Sequence, residues 1–334
     1  MSIDTSLYTN IWDYMKNDRF VFNFFIGGRR TGKTYSVLRE LSKGEIPFLY
    51  LRMTGKETTV SIEANLFRKY KVDIKVKELE SNFYSFYKND KVIGYGASLS
   101  TFSGLRGVDF SNIKIIYFDE FIPELGIRRQ VSNPAVIFKN LYETVNENRE
   151  LEGIPPAKVI ATANSNDIAT DLMQGLKLTK YAEEMLKNDQ EFYFDHKRRY
   201  QLAILKSNPE FLKKKQRTAL YEFIGEEDDF TKMSLNNMFA YNDFTNVKER
   251  SLQGLTPICN VEGLFTIFKQ KNSDNYYVSP ININKGCPVY RPGNQIEKQN
   301  LLMRWSIYLN NKYYGNKIKF ATYESKKAFN ELFL

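Results

Sequence analysis

Residues Gly27-Gly28-Arg29-Arg30-Thr31-Gly32-Lys33-Thr34 satisfy the spacing G-x-x-x-x-G-K-[ST] at every fixed position. Each fixed residue type has a task in holding a triphosphate. Glycines let the backbone wind close to phosphate oxygens, while the loop amides and a helix N-terminus supply partial positive charge. Lys33 is placed to reach the β- and γ-phosphates, and the Thr34 hydroxyl to ligate Mg2+. A bare glycine-rich turn is the competing reading. The position of the motif, between an apolar strand and a helix, argues against it.

A second set of groups completes the chemistry. The apolar run Ile113-Lys114-Ile115-Ile116-Tyr117-Phe118 ends in Asp119-Glu120, with Asp119 lying 85 positions after Thr34. A strand ending there would set Asp119 beside the P-loop to hold Mg2+ through its water shell, with Glu120 as general base for the attacking water. A further strand ends in Thr162-Ala163-Asn164, where Asn164 is either a sensor of the γ-phosphate or an ordinary turn residue. No guanine-reading Asn-Lys-x-Asp follows, so ATP is the expected substrate. The extra strand fits the additional-strand, catalytic-glutamate branch of P-loop ATPases. Members of that branch often work as rings in which a neighbour's arginine completes the site.

The elements that must position these groups follow from apolar patterning. Phe20–Ile26, Phe48–Leu51, Ile113–Phe118 and Lys158–Thr162 read as buried strands, with a helix from Lys33. Helices are expected around Leu7–Met15, Glu57–Tyr70 and Asn133–Asn148, the last with Pro134 in its first turn. Phe83–Tyr87 and Val92–Tyr95 form a hairpin about Asn89-Asp90. Strands alternating with helices predict an α/β fold with a mostly parallel sheet. Beyond residue 200 the pattern changes. A charged helical segment runs from Asn208-Pro209 to Glu222, strands follow at Leu264–Lys269 and Tyr276–Val278, and a helix spans Ile296–Asn310. The expected division is 1–200 for the ATPase domain, 201–244 for a helical linker and 245–334 for a small α/β domain.

Charge separates these parts. The chain carries a net charge of +9 over 334 residues, and residues 245–334 alone hold thirteen Lys/Arg against six Asp/Glu. A basic region joined to a near-neutral one points to a polyanionic partner, with a lysine-rich solubilising surface as the plainer alternative. Cys259, Cys287 and the single histidine, His196, exclude a disulfide framework and a Cys/His zinc site. No run approaches the length of a membrane span, and the first residues lack the layout of a signal peptide, so a cytosolic protein is expected. An RNase H-type nuclease needs carboxylates converging on two metal ions, whereas Glu249, Glu262, Asp274, Glu297, Glu324 and Glu331 are scattered among lysines.

The order of these pieces closely resembles the genome-packaging (encapsidation) ATPases of small phi29-like tailed phages. The resemblance is carried by FNFFIGGRRTGKTY, PFLYLR, YGASLSTFSGLRGVDFSNIKIIYFDEF, ETVNENRE, KVIATANS and KMSLNNMF, and it spans nearly the whole chain. It implies a ring ATPase domain, a helical linker and a vestigial RNase H-like nuclease domain lacking nuclease activity. It further implies a pentamer docked on a viral prohead in the host cytoplasm, with the portal protein and a structural RNA as partners. The motor would pump double-stranded DNA inward. Lys33, Thr34, Asp119 and Glu120 match the nucleotide motifs, Arg29 matches the basic residue inside the loop, and Arg106 falls at the basic position of the lid segment. Where the family has two arginines in T-V-x-x-N-R-E, Glu147 occupies the first position. Arg149 is therefore the expected trans-acting residue, with Lys56 and Arg106 as rivals and a surface ion pair as the alternative for each. Two other functions remain: another ring-forming nucleic-acid ATPase such as a helicase, or a non-hydrolysing nucleic-acid-binding scaffold.

Overall fold

A computed structural model describes residues 5–64, 66–104, 108–123, 131–235, 242–283 and 285–334. Its contacts divide the chain into Met1–Tyr241 and Asn242–Leu334. In the first unit, β1 (Phe22–Gly27) leads into α1 (Lys33–Leu41), and β2 (Phe48–Arg52) into α2 (Gly55–Glu63). A meander of β3 (Lys75–Glu80), β4 (Phe83–Lys88) and β5 (Lys91–Ser98) precedes β6 (Ile115–Asp119), α3 (Pro134–Asn146) and β7 (Lys158–Asn164). Then come α4 (Asp171–Gly175), α5 (Thr179–Lys187), β8 (Phe192–Asp195) and β9 (Tyr200–Leu205). Three short helices follow among the described residues of the unit: α6 (Pro209–Gln216), α7 (Ala219–Ile224) and α8 (Asp229–Ser234).

The nine strands lie in the order β3-β4-β5-β2-β6-β7-β1-β9-β8. Those from β5 to β9 are parallel, and antiparallel pairings form both edges. Parallel strands are covered on both faces, which is why they read as continuous apolar runs. On β1, Phe25 joins Val37, Leu38 and Leu41 of α1, while the neighbouring Phe24 packs edge-on against Phe121 with ring centroids 5.6 Å apart. Because the central strands share one direction, Gly27, Arg52, Asp119 and Asn164 all stand at the same edge of the sheet, where such folds place their ligands.

Several expectations are corrected. The helix expected at Leu7–Met15 is instead two 3-10 turns, Thr5–Leu7 and Ile11–Tyr14. Here the Ile11 amide donates to Ser36 Oγ and the Trp12 indole to the Ser36 carbonyl, so the segment is tied to α1 as well as by its own short-range turns. The helix expected through Tyr70 ends at Glu63, and the one expected through Glu222 breaks where Thr218 turns extended. The domain boundary at 200 falls inside the sheet. Tyr200–Leu205 pairs residue for residue with Phe22–Gly27, and the first unit continues to Tyr241. The hairpin turn at Asn89-Asp90 is present, both residues adopting the left-handed conformation that a two-residue turn requires (φ 50° and 58°).

The second unit is a five-stranded mixed sheet. Its strands are β10 (Leu255–Val261), β11 (Phe265–Gln270), β12 (Tyr276–Ser279), β13 (Val289–Tyr290) and β14 (Ile318–Phe320), in the order β13-β10-β11-β12-β14. Helices α9 (Gln295–Tyr314) and α10 (Tyr323–Phe333) bury Leu301, Leu309, Phe329 and Phe333 against Phe265, Ile267 and Val278. Strand β10 escaped sequence reading because Pro257 interrupts it. Pro257 is tolerated at a bulge, beyond the stretch where β13 pairs. No helix among the described residues is long and apolar enough to cross a membrane.

Candidate active site

The P-loop joins β1 to α1. Gly32 turns the chain with φ 104°, and a Cβ there would lie 2.8 Å from the Tyr8 side chain, so only glycine serves. The Thr31 carbonyl accepts from the Thr9 amide at 2.7 Å, which fastens the N-terminal segment over the loop. Lys33 is folded back onto the loop. Its ammonium donates to the carbonyls of Gly27 at 2.9 Å and Gly28 at 2.6 Å, and the residue is only 5% exposed. Burial pushes its pKa down to about 7. Asp119 and Glu120 oppose that fall, and Arg29 adds to it. Arg30 is exposed and held at φ 59°.

Asp119 is the hub of the site. It is 4% exposed, and its Oδ1 accepts from Thr34 Oγ1 at 3.0 Å, Tyr117 Oη at 2.9 Å and Thr162 Oγ1 at 3.0 Å. Burial, and then the charge of Asp119, keeps the Tyr117 phenol protonated and hence a donor by raising its pKa well above the ordinary range. Register explains why three strands meet here. Asp119 pairs with Thr162 across β6 and β7, and Gly27 pairs with Asn164 across β1 and β7. Strand β7 thus lies between the P-loop strand and the acid-bearing strand, and Asn164 stands beside the first residue of the loop.

Arg52, at the end of β2, was not singled out from the sequence. Its guanidinium forks across the acidic pair, with Nη1 3.3 Å from Asp119 Oδ2 and Nη2 2.7 Å from Glu120 Oε2. Burial works against its charge, but Tyr50, Asp119 and Glu120 outweigh that and raise its pKa. Glu120 has φ 53° and a side chain 40% exposed, against 6% for the Asp119 side chain. One carboxylate is buried among hydroxyls and its neighbour is turned toward solvent. Arg52 ends β2 at the same edge as Asp119, and Thr162 lies two residues before the end of β7, level with Asp119, which is the signal that could have found them.

The donors suit a hard divalent cation. The Thr34 hydroxyl and the Asp119 carboxylate are oxygen ligands already within hydrogen-bonding distance of one another. No group of three or more His, Cys, Asp or Glu gathers among the described residues, and Mg2+ shared with substrate phosphates needs none.

The expected trans-acting residues fare differently. Arg149 is 7% exposed, and its Nη2 donates within its own chain to the carbonyls of Phe110, at 3.4 Å, and Ser111. In this conformation it anchors the segment leading into β6, so reaching a neighbour would require breaking those bonds. Lys56 is exposed in the first turn of α2, behind the Thr54–Glu57 capping box. Arg106 lies outside the described residues. Glu147 follows α3 with φ 46° and is exposed.

A family model described as Podovirus DNA encapsidation protein (Gp16) matches residues 3–282. The DNA packaging proteins of Bacillus phages PZA and phi29 are each 31% identical over 153 residues, or 44% of this chain and 45% of theirs. The match therefore spans a little under half of each relative. A chain of the bacteriophage Phi-29 viral genome packaging motor assembly shares the fold with a TM-score of 0.65, at 19% identity over 98% of both chains.

Proposed function

The chain belongs to the Podovirus DNA encapsidation protein (Gp16) family, and on that premise we propose that it is the ATP-hydrolysing subunit of a phage DNA-packaging motor. The observation that carries this reading is the meeting of Thr34, Asp119 and Glu120 at one edge of the sheet, next to the P-loop lysine. A strand lying between the P-loop strand and the acid-bearing strand supports assignment to the additional-strand, catalytic-glutamate branch.

In that reading the loop amides and Lys33 receive the phosphates of ATP, and Lys33 exchanges the carbonyls of Gly27 and Gly28 for them. Thr34 and Asp119 would hold Mg2+, which supplies charge neutralisation for the β- and γ-phosphates. Glu120 accepts the proton of the attacking water. Its carboxylate is occupied by Arg52, so turnover requires that ion pair to open. Asn164, level with Gly27, is placed to orient water or sense the γ-phosphate.

The remaining assignments belong to the same proposal: a homo-oligomeric ring, a pentamer, acting on double-stranded DNA. It works in the host cytoplasm while docked on a prohead, beside a portal protein and a structural RNA. The second unit is read as a vestigial RNase H-like domain without nuclease activity. Four of its acids are engaged with cations, Glu262 and Glu297 with Arg291, Asp274 with Lys312, and Asp243 with Lys326. A motor indifferent to sequence grips phosphates, which makes DNA stimulation fall with salt. The test is phosphate release by the full chain with Mg2+ and ATP, with and without DNA, followed by packaging into purified proheads. Glu120→Gln should cut turnover by a factor on the order of 10² to 10⁴ while ATP still binds. Unchanged turnover in that variant would overturn the assignment of the base.

A further inference from the structure

Helix α8 ends on the P-loop. The Arg29 amide donates to the Ser234 carbonyl at 3.1 Å, and the Arg29 guanidinium lies over the Phe230 ring, 5.9 Å from its centroid. A Cβ on Gly28 would sit 2.8 Å from that same Ser234 oxygen and 3.1 Å from Ser207 Oγ. Gly28 occupies a wildcard position of the G-x-x-x-x-G-K-T spacing, and it is not among the residues with positive φ. Neither phosphate binding nor backbone conformation calls for glycine there. Close approach of α8 does.

We infer that α8 is a latch on the P-loop, held through Gly28, Arg29 and Phe230 while the loop is empty and released when a bound triphosphate draws Arg29 away. The contacts that hold α8 use the groups that an anion wants. A phosphate competes with the Ser234 carbonyl for the positive potential of the loop amides, and it competes with the Phe230 ring for the guanidinium. Bringing a triphosphate beside a carbonyl oxygen adds repulsion to that competition. Thr231 and Ser234 are 1% and 0% exposed, so α8 is docked through its buried face. Helix α8 is the last helix among the described residues of the first unit, and the second unit begins at Asn242. Release would therefore pass the state of the nucleotide site to the chain segment that precedes the second unit.

The latch rests on the P-loop binding a triphosphate, and the test separates the two ideas. Binding of ATP-γ-S with Mg2+ to the full chain is measured by calorimetry, and hydrogen exchange is followed over residues 229–235 with and without it. If wild type binds no triphosphate, the nucleotide reading itself fails. If it binds and the exchange of 229–235 is unchanged, the latch alone fails. The expected result is faster exchange over 229–235 on binding, with no change in Lys33→Ala. Since docking and nucleotide compete, Phe230→Ala should bind ATP-γ-S about threefold more tightly, and its α8 should exchange fast before nucleotide is added. Gly28→Ala, which drives a methyl into the Ser234 oxygen, should show the same fast exchange without nucleotide. A merely structural contact would leave affinity unchanged or weaken it, and either result in the folded Phe230→Ala protein would overturn the proposal.

Discussion

The acids of the two units show what position does to a carboxylate. Asp119 ends a central parallel strand, is nearly buried, and gathers two hydroxyls and an arginine from three other elements, with a third hydroxyl from Tyr117 of its own strand. Asp274 precedes β12 with its side chain 54% exposed, and Lys312 bonds both of its oxygens, at 2.8 and 2.7 Å. The first is held by groups brought together from distant parts of the sequence. The second is a surface ion pair. Convergence of strand ends, rather than the presence of acids, marks where chemistry is built.

The comparison is tested most severely by deleting both acids. Asp119→Ala strips one of two counter-charges from a largely buried arginine and an acceptor from three hydroxyls, so it should destabilise the first unit by about 3 to 5 kcal/mol in denaturant unfolding. Asp274→Ala should leave the unfolding midpoint of the second unit almost where it was. Equal effects would mean that burial is not the difference between the two sites.

Arg52 sharpens the contrast at somewhat smaller scale. Removing its fork with Arg52→Met should cost about 1.5 to 3 kcal/mol, the range for hydrogen bonds to charged groups. Arg52→Lys should recover less than half of that loss, because an ammonium cannot span Asp119 and Glu120 as two parallel donors do. Full recovery by lysine would show that only net charge matters there.

Lys33 yields a pH dependence. With its pKa depressed to about 7 in the empty loop, a growing fraction is neutral above pH 7, whereas phosphates favour the charged form. Binding then takes up a proton. Affinity should be level below pH 7 and fall above it, by at most about tenfold per pH unit, until the pKa of the bound state is passed. Calorimetry in two buffers of different ionisation enthalpy would detect the uptake. An affinity flat from pH 6 to 9 would contradict it.

The legible part of the molecule was the part that phosphate chemistry constrains. Gly27 to Thr34 and Asp119-Glu120 declare themselves by type and spacing, and the alternation of apolar runs with helices predicts the parallel core. Contacts made by long-range convergence were silent. Arg52 in FLYLR looks like the polar end of any strand, and only the pairing of β2 with β6 brings it to the acids. A boundary drawn where the strand–helix pattern changes cuts strand β9, because its six buried residues are recognised as sheet only beside β1. Arg149 reads as a trans-acting residue or a surface ion pair because its partners, two backbone carbonyls 38 and 39 positions away, leave no mark on sequence.

The smallest predicted effect lies at the exposed pair. The hydrogen bond from Lys312 holds the Asp274 carboxyl below its ordinary pKa, and Asp274 raises that of Lys312. A carboxylate whose folded pKa is depressed adds stability above its unfolded pKa and loses it as the pH falls through the folded value. The raised lysine adds stability below its unfolded pKa and loses it as the pH rises through the folded one. The pair therefore acts only between those limits, and salt screens it there. Lys312 also lies 5.3 Å from the centroid of the Tyr308 ring, so Lys312→Met keeps the aliphatic packing and removes the charge. Near neutral pH, Lys312→Met should move the unfolding midpoint only slightly, and less in high salt. Below the carboxylate range it should not move it at all. A large loss that persists in high salt would show that this pair is structural in the way Asp119 is, and the distinction between the two regions would fall.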